Sequence, residues 1–234
     1  MNIRILQLIE GARKARGLTV IIDVFRAFTA EAWMSFRGAE RILPVGDVQT
    51  AFDLRSAHPG ALLCGERGGR IIDGFDYGNS PSALEHAELL GKTIVHTTSA
   101  GTQGIANAVH AEEIVAGSLV CARAIAQYIR QRSPEEVSLV CMGLDGKKIT
   151  DEDTLCARYI RSLLENQPFE NMEEEIARLS RTDGAKFFDP AQQDVFPERD
   201  FHLSTQVDRF DFALRYNRET GCMERINPFH QLEG

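Results

Sequence analysis

Residues 65–81 read Gly-Glu-Arg-Gly-Gly-Arg-Ile-Ile-Asp-Gly-Phe-Asp-Tyr-Gly-Asn-Ser-Pro, with five glycines and five charged residues in seventeen positions. Glycine permits positive φ and lets the backbone approach a ligand closely. Acids and arginines set between glycines suit a loop that holds a cation and an oxyanion side by side. Glu66 and Asp76 offer hard oxygen ligands for an ion such as Mg²⁺, and Arg67 and Arg70 offer partners for a phosphate or a second anionic group. The same composition also suits a surface β-hairpin, with residues 70–73 as a short strand and Gly-Asn-Ser-Pro as a turn into a helix.

Three other stretches carry chemistry. Asp23 and Arg26 flank a strand-to-helix turn, where the acid could ligate a metal and the arginine a phosphate oxygen, or the two could form an internal salt bridge. Thr97, Thr98, Ser99 and Thr102 place hydroxyls and free N–H groups at another such turn, which suits an anion; ordinary capping would occupy only one of them. Gly143-Leu144-Asp145-Gly146, followed by Asp151, Glu152 and Asp153, gathers acids at a third, although acids in a first helical turn also answer the helix dipole. Cys64 and Arg70 have the Cys-x5-Arg spacing of cysteine-dependent phosphatases, but Ile71-Ile72 is strand-like where that loop needs a helix, and Glu66 would repel phosphate. A haloacid-dehalogenase type of site needs a second Asp two residues after Asp23, where this chain has Phe25. His96, at the end of an apolar run, reads as a satisfied core residue.

These residues need a frame. Residues 18–24 (Leu-Thr-Val-Ile-Ile-Asp-Val) form an apolar β-branched run without alternation, as in a parallel strand buried on both faces. Residues 26–37 then have helical spacing, ended by Gly38. Strands are predicted at 3–6, 41–45, 61–64, 92–97, 113–116 and 137–142. Helices are predicted at 8–16, from the Asp47 cap to 57, from Ser80-Pro81 to about 91, from 102 to about 111, at 118–132, at 151–165, and within 167–180. Residues 210–216 and 222–226 read as a terminal hairpin. The alternation predicts an α/β fold, a three-layer α/β/α arrangement with a mostly parallel sheet and a C-terminal β-hairpin, in one domain over residues 1–234. Ligands in such sheets bind at the carboxyl ends of the strands, and all four polar turns fall there.

The bulk composition agrees. Hydrophobic residues make up 43% of the 234 positions, enough for a globular core. A net charge of −8, from 34 acids and 26 bases, argues against nucleic acid as the main partner but allows a small anion met by a local basic cluster. Five cysteines, odd in number and without Cys-x-x-Cys spacing, argue for a reducing compartment. No run approaches a membrane span and the start has no signal-peptide layout, so a cytoplasmic protein without a membrane partner is expected.

Taken together, residues 22–29 (Ile-Asp-Val-Phe-Arg-Ala-Phe-Thr), Gly65-Glu-Arg-Gly-Gly with Gly74-Phe-Asp-Tyr-Gly-Asn-Ser-Pro81, Thr97-Thr-Ser-Ala-Gly-Thr102, Gly143-Leu-Asp-Gly with Glu152-Asp-Thr-Leu-Cys-Ala157, and the segment from Asp200 to Phe210 resemble the 2-phosphosulfolactate phosphatase family. The resemblance implies a Mg²⁺-dependent phosphatase that converts 2-phospho-3-sulfolactate to 3-sulfolactate, a step on a route to coenzyme M. It implies Asp23, Arg26 and Glu66 as the catalytic set, with nucleophile, base and ligand roles left open among the acids. Asp23, Glu66, Asp76, Glu152 and Asp153 would hold the metal, and Arg67, Arg70, Asn79, Thr98, Ser99 and Thr102 would bind substrate. The family's Asp-Val-Leu-Arg-Ala-Thr-Thr is Asp-Val-Phe-Arg-Ala-Phe-Thr here, its Thr-Thr-Asn-Gly-Thr is Thr-Thr-Ser-Ala-Gly-Thr, and its Gly-Arg is Gly146-Lys147. The carboxylates survive these changes, so the metal chemistry is less affected than the choice of substrate. Another small phosphorylated hydroxy acid as substrate, or a non-catalytic anion-binding module, are the alternatives. The partner expected is a small anionic phosphate ester, and a homodimer is a possible assembly.

Overall fold

The structure is a computed structural model and describes residues 1–229. In chain order it has β1 (Asn2–Gln7), α1 (Leu8–Lys14), β2 (Gly17–Ile22), α2 (Ala27–Phe36), β3 (Arg41–Pro44), α3 (Val48–Ala57), β4 (Leu62–Arg67), β5 (Arg70–Ile71), α4 (Pro81–Leu84), β6 (Thr93–Thr97), α5 (Gly101–Asn107) and β7 (Ala111–Gly117). It continues with α6 (Ala122–Arg132), β8 (Glu136–Cys141), α7 (Asp151–Leu164), α8 (Met172–Leu179), α9 (Glu198–Ser204), β9 (Ala213–Asn217) and β10 (Cys222–Ile226). The strands form one mixed, mostly parallel sheet in the order β1-β8-β2-β7-β9-β10-β3-β6-β4-β5. On the first half, α6 and α7 pack together over β2, β7 and β8, and α1 packs on α5 against β8 and β2. This is the α/β/α arrangement that the alternating pattern predicts.

All six residues of β2 are buried, as its unbroken apolar run requires. α2 is buried along nearly its whole circumference, from Ala27 to Ser35, rather than on one stripe, so its core packing is denser than amphipathic spacing implies. Asp47 caps α3 by accepting from Thr50 N at 2.8 Å.

Two expectations are corrected, the helix after Ser80 and the state of His96, while the expected C-terminal hairpin is present as β9 and β10. The hairpin is inserted in the middle of the sheet, β9 antiparallel to β7 and β10 antiparallel to β3. It thereby satisfies the open edges of two parallel half-sheets, β1-β8-β2-β7 and β3-β6-β4, whose backbone groups would otherwise lack partners. The helix after Ser80 stops at Leu84, because the chain then turns to bury Leu84, Ala87 and Leu89 in the core. Pro81 does open it, but Ser80 gives no cap; its hydroxyl donates to Asp200 at 2.8 Å instead. Finally, His96 is only half satisfied: Nδ1 faces Glu31 Oε1 at 2.8 Å, both residues fully buried, while Nε2 has no partner.

Candidate active site

The carboxyl ends of the two half-sheets meet around a cavity of about 420 Å³. Each of the four polar turns contributes to its lining: Asp23 and Arg26 after β2; Glu66, Gly68, Gly69 and Asn79 from the glycine loop; Ser99 and Ala100 after β6; and Gly143, Asp145, Thr150 and Glu152 after β8. The volume lies in the range of small-ligand sites.

The glycine loop folds as the β-hairpin that its composition also suits, with its short strand at Arg70–Ile71. Gly68 and Gly69, at φ of 58° and 82°, form the two-residue turn between β4 and β5, a turn that needs positive φ at both positions. The hairpin so formed also walls the cavity. Glu66 fixes it: Oε2 accepts from Gly69 N at 2.7 Å and Oε1 from Ser99 N at 2.7 Å, so one buried carboxylate ties the turn to the loop after β6. Asp153 does the same on the other half-sheet, accepting from Val24 N and Gly143 N, each at 2.8 Å. The ends of β2 and β8 are thus clamped by a single side chain.

Asp23 and Glu152 differ from these braces. Asp23 Oδ1 accepts one weak bond from Ala27 N at 3.2 Å, and Glu152 Oε2 is buried with no partner. Burial disfavours the ionised forms. It is the largest cause pushing Asp23 up to about 6, with Glu66 adding repulsion, and pushing Glu152 up to about 7, where Asp183 adds repulsion and Lys186 opposes it. Asp153 is also raised, by burial first and then by Glu152 and Asp23. Asn79 Oδ1 and Thr150 Oγ1, on residues that line the same cavity, are buried without partners as well. Unpaired buried polar atoms are rare in native proteins, and three of them on one cavity mark a place built for a polar ligand.

Several residues expected at the site stand elsewhere. Asp76 pairs with Arg55 and accepts from Leu63 N at 2.8 Å; it braces the flank of β4 away from the cavity. Arg67 donates to Thr97 Oγ1 at 3.0 Å and to its neighbour's carbonyl, because its strand position points it away. Arg70 is largely exposed in a neighbouring cleft, 3.5 Å from an equally exposed Asp194. Thr98 and Thr102 bond each other reciprocally, side chain to backbone, at 2.9 and 3.2 Å, and so serve as turn caps. Ser99 and Asn79 do face the cavity.

Arg26 lines the cavity, but its partner is Asp200 rather than Asp23. Nη1 donates to Asp200 Oδ2 at 2.7 Å and to Val195 O at 2.8 Å, and Nη2 to Gly69 O at 2.9 Å, with the guanidinium 4.9 Å over the Phe196 ring. Asp200 in turn accepts from Ser80 Oγ and Ser82 N. One buried ion pair therefore joins the β2 turn, the glycine loop, α4 and the C-terminal segment. Cys64 is fully buried, with its thiol on Gly78 O at 3.0 Å and its pKa pushed well up by burial, which removes it as a nucleophile.

Thr182, Asp183, Lys186 and Phe196 complete the lining, and none was among the sequence candidates. They stand on the irregular segment between α8 and α9. No periodicity or turn motif points to them; the isolated Lys186 between glycine and paired phenylalanines was the only local signal. Burial lowers the pKa of Lys186, against the pull of Glu152.

Known proteins resemble this chain over much of its length. A family model described as 2-phosphosulpholactate phosphatase matches residues 3–215. A protein from Carboxydothermus hydrogenoformans is 44% identical over 148 residues, covering 63% of this chain and 60% of its own. One from Caldicellulosiruptor saccharolyticus is 40% identical over 154 residues, covering 64% and 63%. One from Bacillus subtilis is 27% identical over 213 residues, covering 89% and 92%. All three carry the name probable 2-phosphosulfolactate phosphatase. The chain thus spans somewhat less than two thirds of the length of the first two. Among the described residues, no helix is long and apolar enough to cross a membrane.

Proposed function

The chain belongs to the 2-phosphosulpholactate phosphatase family, and from that premise we propose that it hydrolyses the phosphate monoester 2-phospho-3-sulfolactate to 3-sulfolactate and phosphate, with Mg²⁺ as cofactor. A water oxygen replaces the alcohol oxygen on phosphorus, and the alcohol leaves carrying a proton. Such transfers ask the protein mainly for positioning and charge. The observation that carries this reading is the set of partnerless buried atoms, Glu152 Oε2, Asn79 Oδ1 and Thr150 Oγ1, on the cavity that Asp23 also lines.

The donor set fits Mg²⁺. The ion takes one or two carboxylates and leaves its other positions to water and substrate phosphate. Among the described residues no three His, Cys, Asp or Glu side chains form a ligand set by themselves, and two carboxylates with oxygen to spare suffice. Asp23 and Glu152 would hold the ion. When bound, it would offset the charge of both carboxylates and of the phosphate. Glu66 and Asp153 keep the loops in register around it, and Asp153 is a brace in this reading rather than a ligand. Thr150 Oγ1, which has no partner, and Asn79 Nδ2 can donate to ester oxygens, and Arg26 holds the walls of the cavity together. A cytoplasmic setting, favoured by five free and buried cysteines, and a step of the kind that leads to coenzyme M belong to the same proposal.

Phosphate release from 2-phospho-3-sulfolactate and a panel of other small esters, with Mg²⁺ and after exhaustive chelation, tests it. Release that needs Mg²⁺ is expected. Full activity after chelation would remove the metal, release from another ester alone would change the substrate, and binding without release from any ester would leave an anion-binding module.

A further inference from the structure

The cavity is negative before any substrate enters. Asp23, Glu66, Asp145, Glu152 and Asp183 line it, against Arg26 and Lys186. A phosphate ester brings more negative charge. Arg26 has little left to offer, being buried with its guanidinium on Asp200, Val195 O and Gly69 O. Lys186 is placed differently. It stands half-buried on the 3-10 turn Ala185–Phe188, with Nζ 5.5 Å from the Phe187 ring centroid and 5.1 Å from that of Phe196. Those rings hold the stem in place. Among the described residues the ammonium has no hydrogen-bond acceptor and no ion-pair partner. A partly desolvated cation that lines a cavity without an acidic partner is prepared for an anion from outside the chain.

We propose that Lys186 receives an oxyanion of the substrate, either the phosphate or the acidic group of the alcohol portion, and so makes the cavity selective for polyanionic esters. This rests on reading the cavity as a phosphatase site. It also moves anion recognition from Arg67 and Arg70, which the structure turns away, to a residue that only the fold brings in.

Calorimetric titration with inorganic phosphate and, separately, 3-sulfolactate, each with Mg²⁺, reads the contact without turnover. Lys186→Met keeps the apolar stem on Phe187 and Phe196; Lys186→Gln is measured in parallel, so that loss of fold in one variant leaves the other to decide. Loss of a charge-assisted hydrogen bond predicts affinity weakened by about ten- to a hundredfold for one of the two anions, with Lys186→Arg retaining most of it. The weakened anion identifies the group that Lys186 receives. Unchanged affinity for both anions in the Met and Gln variants, or a wild-type protein that binds neither, overturns the proposal. Wild-type binding that depends on Lys186, without release of phosphate from any ester, would uphold Lys186 as an anion anchor and sink the phosphatase reading instead.

Discussion

Replacing Asp200 by Asn removes one charge and almost no volume. The Arg26–Asp200 pair is 4% and 0% exposed at its side chains, so neither solvent nor salt can substitute for the lost partner. Asp200 accepts on both sides, from Arg26 Nη1 and from Ser80 Oγ and Ser82 N. An amide has one acceptor oxygen, so one orientation sets its NH₂ against the guanidinium and the other sets it against Ser82 N–H. Breaking a buried pair from one side costs about 3–5 kcal/mol. For a chain of this length each kcal/mol moves the melting midpoint by about 2–4 °C, so a fall of roughly 6–20 °C is expected. Urea unfolding gives the free energy directly. Because Arg26 also holds Gly69 and Val195, a raised KM should accompany the fall. The double variant Arg26→Met/Asp200→Asn removes both charges, keeps an acceptor for Ser80 Oγ and Ser82 N, and should recover part of the stability while leaving activity low. A single variant within about 1 kcal/mol of wild type, or a double variant no more stable than the single, would refute the assignment of this pair as the buried tie between the walls.

Three further outcomes are expected. Asp23 and Glu152 have folded-state pKa values raised from 3.8 to about 6 and from 4.5 to about 7. The folded state therefore binds protons more tightly at these two groups than the unfolded one, and the stability they contribute without metal should be fully present below about pH 4 and be lost as pH rises through about 6–7. Melting curves across that range check it: Asp23→Asn and Glu152→Gln should each flatten the slope and abolish turnover while keeping the fold, and added Mg²⁺ should restore wild-type stability at pH 7. A Cβ on Gly69 would lie 2.3 Å from the Phe196 ring at a φ of 82°, so Gly69→Ala should destabilise the β4–β5 turn and raise KM, as urea unfolding and steady-state kinetics would show. Arg70→Lys should leave kcat/KM within about fivefold, since an exposed pair such as Arg70–Asp194 contributes at most about 1 kcal/mol; a larger loss, selective for the sulfonated ester, would return substrate recognition to the glycine loop.

The chain by itself determined the scaffold and where on it the site lies. A β-branched apolar run such as residues 18–24 reads as a strand covered on both faces, and strands alternating with helices put every connecting turn at one of two sheet edges. Asp23, Glu66, Ser99 and Glu152 were therefore legible as neighbours before any coordinates, because local pattern fixes which end of a strand a turn occupies. What each charged group does was not legible. Asp153 and Glu152 are adjacent in the same helical turn, yet one clamps two strand ends and the other keeps an oxygen without a partner. Arg26 and Asp200 are 174 residues apart and meet only in the folded state. The central position of the hairpin follows from two half-sheets that each lack an edge partner, and Lys186 enters the cavity from a segment without periodicity, carried there by the packing of Phe187 and Phe196. Hydrogen-bond partnership and desolvation act through space between segments remote in sequence, so only the tertiary structure decides which carboxylates are braces, which keep an oxygen free and which cations are already paired.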